Sequence, residues 1–170
     1  MTVVIYQILQ IITLVLFTVF ISDRRQKPGM TPLVHPKATR FLKLSYLFPI
    51  LAYGYSLFRI QTVGVLDWFS LVFAVVATIL VIKGKLDLGS HHTWTGYYLK
   101  GSQRIRRGIY GLIPHPMYTG IILMISACSL VYLFRLPWYM TAAAFISCSY
   151  VVAFLVLAAQ REDTVLSGIE

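Results

Sequence analysis

The stretch "GIYGLIPHPMYTGI", residues 108–121, places His115 between Pro114 and Pro116 just before a long apolar run. Tyr110 and Tyr118 stand close by, and Gly108, Gly111 and Gly120 punctuate the segment. A segment built only to cross lipid needs none of this. Pro116 suits the first turn of a helix, where its missing N–H costs nothing. His115 then falls near the cap, beside first-turn N–H groups that lack partners and carry partial positive charge. Such an end can hold an anion. Gly108 and Gly111 permit unusual backbone angles and close approach to a ligand. Tyr110 and Tyr118, with Trp94, Tyr97 and Tyr98, offer faces for a purine or a cation. Tyr and Trp also anchor helices at membrane interfaces, and that plainer role stays open for each residue taken alone.

A second polar cluster, "REDTVL" at residues 161–166, ends the last apolar run. Acid at a helix C-terminus opposes the helix dipole by about 0.3–1 kcal/mol. Glu162 and Asp163 therefore call for a cation: Arg161, Arg104, Arg106, Arg107 or a ligand ammonium group. A solvated exit from the membrane is the simpler alternative. Together the two clusters complement a carboxylate, an ammonium or ribose, and a flat ring or sulfonium. S-adenosylmethionine carries all of these, although the residues alone do not single it out.

The elements that must position these groups are membrane spans. Hydrophobic residues make up 58% of the 170, and mean hydropathy is +0.73, which excludes an ordinary soluble domain. Nearly uncharged runs lie at 3–21, 44–58, 65–82, 117–134 and 138–160. A span needs about 17–25 apolar residues, so the second and third need their flanks or a thin bilayer. Nothing alternates with period two, and lipid offers no partners to exposed backbone. The expectation is an all-α polytopic membrane protein of about five helices, forming one integral membrane domain over residues 1–170. The first run lacks a basic leader and a cleavage site and is followed by "SDRRQK", so it reads as a retained span. Basic residues concentrate in segments 22–43 and 83–116, while the loops after the second and fourth spans hold Arg59 and Arg135. The positive-inside rule then puts both rich segments and the C-terminus in the cytoplasm and the N-terminus outside. That brings "REDTVL" to the same face as His115. Topology thus accounts for the +9 charge without nucleic acid. The short turn after Phe134 makes the last two spans a C-terminal helical hairpin, with small residues on both helices for close packing. Cys128 and Cys148 lie inside apolar runs and read as packing residues.

The "GIYGLIPHPMYTGI" segment, read with "DLG" at 87–89, Trp94 and "EDTVL", resembles the isoprenylcysteine carboxyl methyltransferase family and, more broadly, membrane methyltransferases that include phospholipid N-methyltransferases. The family pattern is similar to G-x-Y-x-x-x-R-H-P-x-Y-x-G, followed after a helical hairpin by an acidic pair and Leu. Gly108, Tyr110, His115, Pro116, Tyr118 and Gly120 match in register, as do Glu162, Asp163 and Leu166. The similarity covers roughly residues 83–166. It implies S-adenosylmethionine at the cytoplasmic end of the last two helices and a lipophilic acceptor, small or lipidated, entering from the bilayer. By position, Gly108, Tyr110, His115, Pro116, Tyr118 and Glu162 would bind the cofactor. Two departures stand out. Pro114 replaces the family's Arg, so Arg106 or Arg107 would have to meet the cofactor carboxylate. The family's G-x-x-Y-x-x-Y helix does not follow the acidic pair, which puts a C-terminal lid and part of the acceptor site in question.

Methyl transfer from a sulfonium relies mainly on positioning and electrostatics. The expected reaction is carboxyl O-methylation of an isoprenylcysteine-like substrate, with a phospholipid or a small thiol or amine as alternative acceptors. A carboxylate or thiolate needs no base, whereas an amine must lose a proton, to His115 or Glu162. No catalytic base is assigned. A nicotinamide-dependent membrane reductase of the steroid-reductase type and a non-catalytic interaction protein remain rival readings. A metal-dependent hydroxylase built on His35, His91, His92 and His115 lacks the dense, regularly spaced histidines that such sites require, so no metal is expected. The membrane is a bacterial inner membrane or the endoplasmic reticulum.

Overall fold

The computed structural model describes residues 1–22, 29–89, 96–99 and 107–167. Helix α1 (Thr2–Ile21) leads to a short strand β1 (Met30–Pro32) and helix α2 (Pro36–Ser45). A turn at Tyr46 joins α2 to α3 (Leu47–Phe58). Helix α4 (Val65–Leu88), strand β2 (Tyr97–Leu99), a 3₁₀ turn at Gly108–Gly111, α5 (Pro116–Tyr132) and α6 (Trp138–Ser167) complete the order. Among the described residues, four helical stretches are long and apolar enough to cross a bilayer, and α5 is a shorter apolar helix of 17 residues. The protein is an all-α polytopic membrane protein.

The second and third spans are longer than their uncharged runs. Lys37–Phe58 forms one candidate span of 22 residues, and α4 runs for 24. Apolar counting stops at Lys83, but the helix does not, because its polar residues have partners. Lys85 Nζ donates to the Phe20 carbonyl at 2.9 Å and lies over the Phe20 ring, covering the end of α1. At the other end of α4, Asp67 accepts from the Gly64 N–H at 2.8 Å and closes the first turn. His35 caps α2, its Nδ1 accepting from the Lys37 N–H.

Helix α5 packs most extensively against α4. Glycines make this possible: a Cβ at Gly120 would lie 2.8 Å from Val81 Cγ2, and one at Gly84 would lie 2.9 Å from Met117 Cγ. The expected hairpin of α5 and α6 is present, but two of the small residues of α5, Gly120 and Ala127, meet α4 instead. Gly120 faces α4, and the Ala127 carbonyl accepts from Ser70 of α4, whereas Ser126 and Ser129 line a groove with Ser149 and Ala153 of α6. A short turn fixes chain neighbours, but backbone approach is set by where glycine removes the side chain. Cys128 and Cys148 are free and buried, as expected of packing residues.

A buried polar knot ties four helices together. The Gln10 amide donates to Tyr6 and Ser70 and accepts from Tyr53, while Ser70 donates onward to Ala127 of α5. Fully partnered, such a network fixes helix register where the surroundings are apolar.

The basic segments meet at one end of the bundle. Strands β1 and β2 pair antiparallel, Met30 opposite Leu99, and the Leu33 N–H donates to Gly96 O at 2.8 Å. Arg161 near the end of α6 donates to the Leu33 carbonyl at 2.8 Å. The end of α6 therefore shares this face with both segments.

Candidate active site

Local sequence explains how the polar cluster forms. Pro116 begins α5 and His115 is its N-cap. Pro116 is buried against α4, its Cγ 3.2 Å from where a Gly84 Cβ would stand. This contact pins the start of α5, and with it the backbone that carries His115. Thr119 strengthens the turn by donating its hydroxyl to the His115 carbonyl at 3.0 Å.

The 3₁₀ turn before it is held by Asp87, the acid of "DLG". Asp87 accepts from the Ile109 N–H at 2.8 Å. Gly108 has φ +61°, and a Cβ there would overlap the Asp87 carboxylate. Glycine is thus needed for both conformation and space. The turn carries Tyr110 inward. Burial, first, and then the negative fields of Glu162 and Asp87 raise the pKa of its phenol, so it stays neutral.

Helix α6 continues to Ser167, so Glu162 and Asp163 lie before its end rather than at it. Their negative charge meets the N-terminus of α5 and the imidazole it carries. His115 Nε2 is 3.1 Å from Asp163 Oδ2, and Nδ1 is 3.8 Å from Glu162 Oε2. The His115 side chain is 20% exposed. Its ring stacks on Tyr118, nearly parallel, with centroids 5.6 Å apart. The Tyr118 phenol is engaged by the Glu162 carboxylate and by the Gly96 backbone. Gly96 itself has φ +80° and sits against Phe154 of α6, so β2 closes over this end of the helix pair.

Four of the six residues expected at a cofactor site therefore converge: Tyr110, His115, Tyr118 and Glu162. The other two, Gly108 and Pro116, have structural reasons of their own in Asp87 and Gly84. Of the arginines considered as partners for the acids, Arg161 turns to Leu33, and Arg107 lies close enough to Asp87 to act on its charge. Trp94, Arg104, Arg106, His91 and His92 lie outside the described residues. Sequence reasoning missed Asp163 as the nearer acid to His115. It also left Asp87 without a role, although "DLG" one helix upstream of the glycine-rich turn was the available signal.

The arrangement offers an acid flanked by two phenols, a stacked imidazole, and the N–H groups of a helix start that, among the described residues, has no side-chain cap. The profile of the phospholipid methyltransferase family matches residues 65–168, which is more than half of the chain and spans α4 to α6. No curated protein and no solved structure gives a significant match. The matched region contains Asp87, the glycine-rich turn, His115 and both acids. The chain belongs to the phospholipid methyltransferase family, of the isoprenylcysteine carboxyl methyltransferase type of membrane methyltransferases.

Proposed function

We propose that this membrane methyltransferase uses S-adenosylmethionine and methylates a lipophilic acceptor at the end of the bundle that carries both basic segments, and that this end is cytoplasmic. The observation that carries the reading is the meeting of His115 with Glu162 and Asp163 across 48 residues of chain.

The donor set fits the cofactor. The first-turn N–H groups of α5 suit its carboxylate, and Glu162 suits its ammonium group or ribose hydroxyls. Tyr110, Tyr118 and the His115 ring supply aromatic surface for its purine and sulfonium. When bound, it supplies a methyl group already activated for displacement. What remains for the chain is to orient the acceptor, exclude water and manage a proton.

Acceptor class turns on that proton. A carboxylate of the isoprenylcysteine type, the acceptor expected from the sequence, needs no base. An amine headgroup needs one, and His115 has a carboxylate at Nε2 that would hold the ring's orientation and tautomer. That geometry and the family together favour an amine-bearing phospholipid, with the prenylcysteine carboxylate as the second reading.

Two measurements test this. Isothermal titration of detergent-solubilised protein should show S-adenosylmethionine binding, lost or much weakened in His115→Ala and Glu162→Ala. Folded protein that gives no heat with the cofactor overturns the proposal. A labelled-methyl assay against phosphatidylethanolamine, a prenylcysteine and a small thiol should transfer label to the phospholipid. Label on the prenylcysteine alone would establish the second reading.

A further inference from the structure

Arg161 and Glu162 are chain neighbours on α6, yet their side chains reach different parts of the protein. Arg161 Nη1 donates to the Leu33 carbonyl at 2.8 Å. The Leu33 N–H in turn donates to the Gly96 carbonyl at 2.8 Å. The Gly96 backbone is hydrogen-bonded to the Tyr118 phenol, and that phenol donates to the Glu162 carboxylate. The path thus returns to the residue next to the one where it began. It is a closed circuit through four stretches of chain: the residue after β1, the residue before β2, the first turn of α5 and the end of α6.

Each link is constrained. Leu33 is buried, so its backbone groups must find partners within the protein. A Cβ at Gly96 would stand 3.0 Å from Phe154 Cζ, so the backbone there rests directly on α6. Arg161 also has acids close at hand, in Glu162 and Asp163. A guanidinium turned toward either would offset the charge that meets His115 and that suits a cofactor ammonium. Neighbouring side chains on a helix diverge by roughly 100°, and Arg161 uses that divergence to reach Leu33 while Glu162 reaches Tyr118.

We infer that Arg161 is a positioning residue for S-adenosylmethionine binding: through Leu33 and Gly96 it fixes the Tyr118 phenol, and with it the Glu162 carboxylate that meets the cofactor. The inference rests on the proposed methyltransferase reading and deepens it. Leu33 lies outside residues 65–168, so part of the site is held by chain that the family match does not reach. A separate bond ties the same helices together, because the Tyr150 phenol of α6 donates to the Ala38 carbonyl of α2 at 3.0 Å. Loss of Arg161 should therefore open the circuit without unfolding the protein.

The test compares full-length variants in detergent by isothermal titration with S-adenosylmethionine and by thermal unfolding. Arg161→Met keeps the apolar stem and should weaken cofactor binding about tenfold. Arg161→Gln, polar but shorter than arginine, should behave alike and stands in if the apolar variant misfolds. Arg161→Lys can still donate to the Leu33 carbonyl and should bind within about threefold of the unmodified protein. Tyr150→Phe removes a bond outside the circuit: its unfolding midpoint should fall while cofactor affinity changes no more than about twofold. In a Tyr118→Phe background the circuit is already open, so Arg161→Met should weaken binding by no more than about threefold further. Unchanged affinity in both Arg161→Met and Arg161→Gln would overturn the inference. An equal loss in Tyr150→Phe would assign the effect to helix packing, and full additivity with Tyr118→Phe would assign it to another route; either result also overturns it. Unmodified protein that binds no S-adenosylmethionine sinks the methyltransferase reading, whereas binding that is indifferent to Arg161 sinks only this inference.

Discussion

His115 Nε2 and Asp163 Oδ2 lie 3.1 Å apart, although 48 residues and a helical hairpin separate them in the chain. A carboxylate at that nitrogen fixes the orientation and tautomer of the imidazole, which positions its other nitrogen when an acceptor amine surrenders a proton. Asp163→Asn preserves shape and removes the charge. Transfer to an amine acceptor should fall about 10²-fold, with cofactor affinity changed no more than about twofold. The labelled-methyl assay and isothermal titration read the two quantities separately. Unchanged transfer in this variant would remove the pair from proton handling.

Gly108 and Asp87 form a second dependent pair, and here the effect is on shape. Gly108→Ala combines positive φ with steric overlap and should cost about 1–3 kcal/mol. Thermal unfolding in detergent measures it. In the double variant with Asp87→Ala the overlap disappears but the backbone strain remains. The added cost of Gly108→Ala should then shrink without vanishing, a non-additivity that a double-mutant cycle resolves. Strict additivity would show that Asp87 does not constrain the turn.

Two helical glycines should respond in opposite ways. At Gly120 a Cβ would meet Val81 Cγ2 at 2.8 Å and the Ala77 carbonyl at 2.9 Å. Backbone cannot step aside as a side-chain tip can, so Gly120→Ala should destabilise by about 1–3 kcal/mol. Around Gly54, among the described residues, nothing stands within 4 Å of an added Cβ. There the added methyl only favours helix, and Gly54→Ala should be neutral or stabilising by up to about 1 kcal/mol. Unfolding midpoints of the two variants should move apart, and equal shifts would contradict close α4–α5 packing at Gly120.

Much of this was legible in the sequence because lipid narrows the choices. With backbone hydrogen bonds forced inside each segment, the apolar runs could only be helices, and basic residues sorted the loops onto two sides. Pro116 marked the start of α5, and "REDTVL" pointed to His115 through topology alone. The packing partners were not legible. The small residues of the last two spans were assigned to each other as chain neighbours, whereas Gly120 and Ala127 meet α4. Charged residues misled the count at the ends of α4, since a run of hydropathy cannot show that Lys85 reaches the end of α1. Gln10 gave no directional signal, because an isolated polar residue in a span does not name its partners. Asp67 and Arg135 were each visible at a span edge, but 68 residues apart, with nothing in the spacing to join them.

That last pair yields the most demanding stability prediction. Arg135 Nη2 donates to Asp67 Oδ2 at 2.8 Å, and Nη1 donates to the Val131 carbonyl at 2.7 Å. The Asp67 side chain is only 2% exposed. Removing the arginine leaves a buried carboxylate without its charge partner and a carbonyl near the end of α5 without its donor. Arg135→Ala should therefore cost about 3–5 kcal/mol. Asn at position 67 can still accept from the Gly64 N–H and carries no charge. Adding Asp67→Asn to Arg135→Ala should then recover part of the loss, making the double variant more stable than the single one. Thermal unfolding in detergent orders the three proteins. If the double variant proves the least stable, the cost lies in lost capping and packing rather than in a stranded charge.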